Sequence, residues 1–178
     1  MSDLTSLLKP KQREVFDAIR DAAAETGVPA FLVGGAVRDW LLGLPEIDDL
    51  DFVVEGNAIA LAESLRQRHG GDVHAYPKFG TATWRFNGVA VDLAMARRES
   101  YPHPAALPVV EPSDLPTDLL RRDFTVNAMA MRLDDFALID PLGGQDDLQR
   151  GVMRVIHGRS FVDDPTRMLR GARYAARF

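Results

Sequence analysis

Asp49 and Asp51 flank Leu50 at the head of the apolar run Phe52, Val53, Val54, a placement that costs stability unless something uses it. Residues two apart in a strand share a face. Leu50, Phe52 and Val54 therefore pack on one side, and Asp49 and Asp51 project together from the other. Asp48 falls at the strand's edge and on the wrong face. Two carboxylates this close raise each other's pKa unless a cation lies between them. Hard oxygen ligands on a rigid strand suit Mg2+, which keeps waters and draws its other ligands from phosphates. A solvated acidic strand end is the plainer use of the same pattern.

What precedes the pair points to phosphate. Gly34-Gly35 sits where a strand at 30–33 turns into a helix at 36–42. Glycine there lets backbone N–H groups approach an anion closely. Arg38, within that helix, adds positive charge. Alone, a Gly-Gly pair is a tight turn; followed by Asp49 and Asp51 it becomes a cradle for a metal–nucleotide. Asp92 offers a third carboxylate, on a strand at 89–94 whose Val89, Val91 and Leu93 share the opposite face. Beside Asp51 it would serve as a further metal ligand or as the base for an attacking hydroxyl. Elsewhere it would be a hydrogen-bonded edge aspartate.

The elements that must hold these residues follow from hydrophobic period. Residues 8–26 predict an amphipathic helix, with Val15, Phe16, Ile19 and Ala23 at helical spacing. Further strands are expected at 50–55, 136–139 and 152–156. Helices are expected at 58–69, 124–131 and from 164 to the end, with a helical turn at 145–149. Residues 81–86 and 89–94 predict a hairpin across Asn87-Gly88. The stretch 97–116, with YPHPAALPVVEP inside it, has no period and reads as a loop. Such a loop either closes over the site or is a stiff connector, and His103 within it reads as solvent-exposed. Helices mixed with strands and a hairpin predict an α/β domain with a mixed sheet.

Composition narrows the class. With 178 residues, 46% of them hydrophobic, the chain suits one domain with a short appendage. The absence of cysteine excludes disulfides and thiolate metal sites. No stretch reaches membrane-spanning length, and MSDLTSLLKPKQ lacks the plan of a signal peptide, so a cytoplasmic protein is expected. A net charge of −5 argues against a broadly basic coat for nucleic acid. Arginine is nonetheless clustered at Arg97-Arg98, Arg121-Arg122 and across 167–177, and local clusters bind phosphates. On the last helix, Met168, Leu169, Ala172 and Ala176 form an apolar stripe expected to pack. Asp164, Arg167, Arg170 and Arg173, with Arg177, form another face whose excess arginine asks for an anion.

GGAVRD followed by DLD resembles the signature of the DNA polymerase β nucleotidyltransferase superfamily. LLRRDFTVNAMAM and FVDDPTRMLRGARYAARF are similar to motifs of class II tRNA nucleotidyltransferases (the CCA-adding enzymes) and bacterial poly(A) polymerases. The resemblance runs from residue 31 to 178. It implies a polymerase-β-like head over 1–157, with a mixed, about five-stranded sheet and flanking helices. Residues 158–178 would begin a helical neck, the remaining helical domains being absent. The implied activity is template-independent addition of C and/or A to the tRNA 3′ end from CTP or ATP, with two Mg2+ ions and release of pyrophosphate. Poly(A) synthesis and a non-catalytic nucleotide-binding fragment are the alternatives. Most tRNA contact would come from the missing domains.

The resemblance also implies roles. Arg122 would contact the nucleotide, with Asp123 and Asn127 near the ribose; Asp123 equally suits capping a helix that begins at Phe124. DDPTR resembles the family's E-D-x-x-R, with Asp163 in place of glutamate. Asp164 and Arg167 match the pair that reads the base, and Arg170 and Arg173 match further nucleotide contacts. A carboxylate only accepts and a guanidinium only donates. Cytosine and adenine each present an amino donor beside a ring-nitrogen acceptor, which that pair satisfies; uracil and guanine present the reverse.

Overall fold

The signals for turns and caps are local, and most elements form where they stand. The structure is a computed structural model that describes residues 7–177. Residues 1–6 of the N-terminus read above as lacking a signal, together with Phe178 and the Arg177 side chain, lie outside the described residues.

Helix α1 (Pro10–Thr26) opens on a proline, whose φ is pre-set for a first turn, and ends at Gly27 with φ +66°. Strand β1 (Ala30–Val33) is buried throughout and runs into α2 (Gly35–Leu41). Strand β2 (Leu50–Val54) leads to α3 (Ala58–His69), whose Asn57 cap accepts from the Ala60 N–H at 3.0 Å. Then come β3 (Asp72–Tyr76), β4 (Thr81–Phe86) and β5 (Val89–Met95). Asn87 and Gly88 join the last two with φ of 52° and 82°, the paired positive values that the tightest hairpin turn requires. After them follow β6 (Arg97–Ser100), β7 (Val109–Pro112) and α4 (Leu115–Leu120). The chain closes with β8 (Ala130–Arg132), β9 (Leu138–Ile139), α5 (Gly144–Gln149), α6 (Ser160–Asp163) and α7 (Thr166–Arg177).

Seven strands form one mixed sheet in the order β3-β4-β5-β2-β1-β8-β9, where about five were expected. Only β2 and β5 pair in parallel; the other neighbours are antiparallel. One face is covered by α1, α2 and α3 over Leu32, Leu50, Phe52, Val54, Trp84, Val91 and Leu93. A smaller cluster on the other face packs Val33, Val53 and Ala130 against Leu115 and Leu119 of α4. That second cluster covers only part of its face.

Three expectations are corrected. Residues 97–116 are not a loop: β6 and β7 pair, Arg98 opposite Glu111, and α4 begins at Leu115. Residues 124–131 are not a helix; a 3₁₀ turn at Thr125–Asn127 leads into β8, whose Met131 pairs with Leu32. Pairing with a buried strand outweighs the helical spacing of that apolar run. Residues 152–156 contribute only a single bridge, Phe124 to Val155.

The α7 stripes depart from expectation at Met168, Leu169 and Arg167, while Arg170 and Arg173 stay exposed. Met168 and Leu169 are 52% and 76% exposed, while Arg167, on the side expected to face an anion, is 5% exposed. Among the described residues no helix is long and apolar enough to cross a membrane.

Candidate active site

The alternation of β2 does what its pattern dictates. Leu50, Phe52 and Val54 are buried against the helices, and Asp51 emerges on the opposite face with Asp49 just before the strand. Asp92 is the register partner of Asp51 across the parallel pair, so the third carboxylate stands directly beside the second. Its Oδ1 accepts from Thr83 Oγ1 on β4 at 2.5 Å.

Burial pushes the Asp51 pKa up, the Asp92 charge adds to the rise, Arg122 pulls it back, and Asp49 raises it again. Among the described residues no side chain donates a hydrogen bond to Asp49 or Asp51. Two exposed carboxylates that accept no side-chain hydrogen bond, with a third alongside, offer hard oxygen donors suited to a divalent cation. Among the described residues no group of three acidic, His or Cys side chains is placed to hold a metal ion, so a cation on Asp49 and Asp51 would take its remaining ligands from water and phosphate oxygens.

A cleft of about 820 Å³ opens next to these carboxylates. Gly34, at φ +66° and ψ −122°, turns β1 into α2 there. A side chain at Gly34 would meet Arg122 Nη1 at 3.1 Å, so the glycine is what admits the guanidinium. Arg122 is held by Asp118 Oδ2, at 3.0 and 3.3 Å, and by the Asn127 carbonyl at 3.3 Å. Burial pushes the Arg122 pKa down and Asp118 pulls it back.

Arg38 does not extend into open solvent. It is 3% exposed; Nε and Nη2 donate to Asp39 Oδ1 at 2.9 and 2.7 Å, and Nη1 donates to Asn127 Oδ1 at 2.5 Å. Asp123 Oδ1 accepts from the Phe124 N–H at 2.8 Å and from Asn127 Nδ2 at 3.2 Å. The capping expected of Asp123 thus closes a turn rather than a helix. Its Oδ2 lies 2.9 Å from Arg170 Nη2, an ion pair without hydrogen-bond alignment. Arg38, Asn127, Asp123 and Arg170 form one continuous polar wall, the neutral Asn127 amide bridging Arg38 and Asp123.

Asp164 Oδ1 accepts from the Thr166 N–H and Oγ1 at 3.0 and 2.6 Å, closing the first turn of α7. Arg167 points inward: Nη2 donates to the Arg121 carbonyl at 2.8 Å, and Nη1 to Ser160 Oγ at 2.8 Å and the Arg122 carbonyl at 3.3 Å. Its Nε is 3.7 Å from Asp164. Arg173 lies 5.3 Å from the centroid of the Tyr174 ring, which Arg38 also faces at 5.2 Å.

The structure gathers Gly34, Gly35, Arg38, Asp49, Asp51, Arg122, Asp123, Asn127, Asp164, Arg167, Arg170 and Arg173 around this cleft. Asp92 is adjacent but outside the lining. Sequence reading missed Asp39, Asp118, Glu99, Tyr101 and Tyr174. Asp118 is fully buried and binds both Arg121 and Arg122; its spacing of three and four residues before them was the available signal. Glu99 accepts from Arg97, Arg121 and the Tyr101 hydroxyl. Burial and the Glu99 charge push the Tyr101 pKa up to about 12. These residues come from the hairpin that had no sequence period.

Comparison with known proteins agrees with this geometry. An A-adding tRNA nucleotidyltransferase of Aquifex aeolicus is 54% identical over 151 residues, covering 83% of this chain and 18% of that protein. A CC-adding tRNA nucleotidyltransferase of Deinococcus radiodurans is 43% identical over 175 residues, covering 96% and 46%. A solved CCA-adding enzyme in its apo form superposes with a TM-score of 0.88 at 46% identity, covering 98% of this chain and 42% of that one. The chain spans less than half the length of each. Residues 30–154 match the family described as the Poly A polymerase head domain, and the chain belongs to that family.

Proposed function

We propose that this chain is the catalytic head of a template-independent nucleotidyltransferase that adds C and/or A from CTP or ATP to the 3′ end of tRNA. The observation that carries the reading is Asp51 standing between Asp92 on one neighbouring strand and the Gly34–Arg122 contact at the end of the other. Carboxylates beside an arginine-lined, glycine-floored cleft suit a triphosphate. The relatives act on tRNA by their names, which supports tRNA as the acceptor here and the cytoplasm as the place. A-adding, CC-adding and CCA-adding proteins are all among its relatives, so membership of the family does not set how many nucleotides are added.

Residues 1–157 form the head on this reading, and 158–178 begin a second, helical unit. In the reaction the RNA 3′-oxygen attacks the α-phosphorus, the bond to the bridging oxygen breaks, and pyrophosphate leaves with that electron pair. Asp49 and Asp51 would hold divalent cations, Mg2+ by the hardness of the ligands, and these would supply charge neutralisation and lower the pKa of the attacking hydroxyl. Asp92 orients that hydroxyl or accepts its proton. Arg122, kept in place by Asp118, faces the phosphates, and Asp123 with Asn127 faces the ribose. Gly34 and Gly35 let the backbone close on the triphosphate. Arg170 and Arg173 add positive charge on the α7 side.

Base choice is assigned to Asp164 with Arg167. Arg167 donates to main-chain carbonyls in the structure, so reading a base requires it to exchange part of that bonding for the base edge. The test is incubation of the full-length protein with Mg2+, each NTP separately and tRNA lacking its 3′ end, followed by sequencing of the products. Extension by C or A only is expected; extension by all four bases, or none, overturns the reading.

A further inference from the structure

The arginines nearest Asp51 in the cleft lie on one side of it, while Arg97, Glu99 and Tyr101 reach the cleft farther along, from the hairpin that follows β5. Sheet order puts β1, with Gly34 at its end, on one side of β2, and β5 with Asp92 on the other. Arg122, Asn127 and Arg38 all lie on the Gly34 side. In an in-line displacement the attacking and leaving oxygens sit on opposite sides of phosphorus. Pyrophosphate leaving toward the arginines therefore requires the attacking hydroxyl to arrive from the β5 side.

A continuous row lies on that side. Asp51, Asp92, Thr83 and His74 are register partners across β2, β5, β4 and β3, and register partners share a face. Arg85, with the exposed Asp72 as its register partner, and Tyr76 extend the same face, flanked by Thr81, Ala90 and Ala94. Helices α1 and α3 pack on the opposite face, over Ala82, Trp84, Val91 and Leu93. His74, Tyr76, Arg85, Ala90 and Asp92 are exposed. The His74 and Tyr76 rings meet edge to face with centroids 4.7 Å apart. At about 4.8 Å per strand, His74 lies roughly 14 Å from Asp51, the span of about four stacked bases at ~3.4 Å each.

We propose that the β3–β4–β5 face continuing from Asp92 is the platform for the single-stranded RNA 3′ end. His74 and Tyr76 stack on a base behind the terminal nucleotide, and Arg85 meets its backbone phosphate. Aromatic stacking with a nearby cation is how single strands are held without sequence readout. Small side chains at Thr81, Ala90 and Ala94 keep the floor between them low enough for the strand to lie flat. This inference rests on the nucleotidyltransferase reading above.

The test uses the full-length protein, Mg2+, ATP or CTP, and a tRNA primer lacking its last nucleotides. The paired substitution His74→Ala and Tyr76→Ala should raise the primer KM about tenfold, with kcat and the NTP KM near those of the parent protein. In the parent, 4-thiouridine placed within the last few nucleotides should cross-link to residues 72–85. An unchanged primer KM overturns the platform while addition by the parent continues, leaving the enzymatic reading intact. An equal rise in both KM values marks damage to the cleft and overturns it too. If the parent adds no nucleotide at all, the enzymatic reading falls and the platform with it.

Discussion

Asp51 is the residue whose energetics most separate folding from function. Its pKa is raised by burial and by Asp92, so its contribution to stability is present below the ordinary carboxylate range and lost as pH rises through the folded value. At neutral pH the ionised side chain therefore costs the metal-free fold stability. Asp51→Asn is expected to melt at a higher temperature than the parent at pH 7 in EDTA, and to lose roughly three orders of magnitude of Mg2+-dependent activity. Lower melting refutes the repulsion account, and near-normal turnover refutes the metal assignment. Arg167 poses the opposite case, because its donors already serve three oxygens of the fold. Arg167→Ala should cost about 1–3 kcal/mol of stability and reduce discrimination of CTP or ATP against UTP or GTP. Comparing kcat/KM for each NTP on one primer checks this. Equal slowing of every nucleotide would make Arg167 an anchor for α7 and nothing more.

Among the elements, α5 and the turn before β8 are joined by a buried carboxylate that titrates in a defined window. Asp147 accepts from Arg154 at 2.8 Å and from Thr125 Oγ1 at 2.7 Å, and those bonds lower its pKa to about 2. A depressed carboxylate contributes stability above its unfolded pKa of about 3.9, and that stability disappears as pH falls toward the folded value. Asp147→Asn should therefore melt below the parent at pH 7, with the gap closing between pH 4 and pH 2; a gap independent of pH would count against the ion pair. The sequence makes β1, α3 and the β4–β5 hairpin legible because caps and turns announce them locally. The carboxylate row is legible for the same reason, since alternation along β2 and β5 fixes which side chains share a face. The β6–β7 hairpin is not, because its strands pair across eight intervening residues and carry Pro112 at an edge. Nor is β3, a half-exposed edge strand whose polar alternation looks like surface. The run FTVNAMAM carries helical spacing and forms a turn and a strand only because Leu32 and Val33 offer a buried partner. Thus Glu99 and Tyr101, which reach the cleft from that hairpin, were invisible to motif reading.

At the scale of the whole molecule, charge and pairing decide what this chain does alone. The net charge is −5, and the arginines around the cleft are largely committed inward: Arg38 to Asp39 and Asn127, Arg122 to Asp118, Arg170 to Asp123, Arg167 to carbonyls. Double-helical RNA is held mainly by neutralising phosphates, and each one neutralised steepens the salt dependence of binding. A cleft whose cations already have partners has few to offer a tRNA acceptor stem, yet its carboxylates and glycine floor still suit one metal–nucleotide. The 178-residue chain is therefore expected to bind ATP or CTP weakly in Mg2+, to bind tRNA with a shallow salt slope, and to extend it poorly. Titration calorimetry with each NTP, and filter binding of tRNA across salt concentrations, measure the two halves separately. Tight, steeply salt-dependent tRNA binding by this chain would move the acceptor-stem site onto the head itself, and the open β3–β4–β5 face would be the first place to map it.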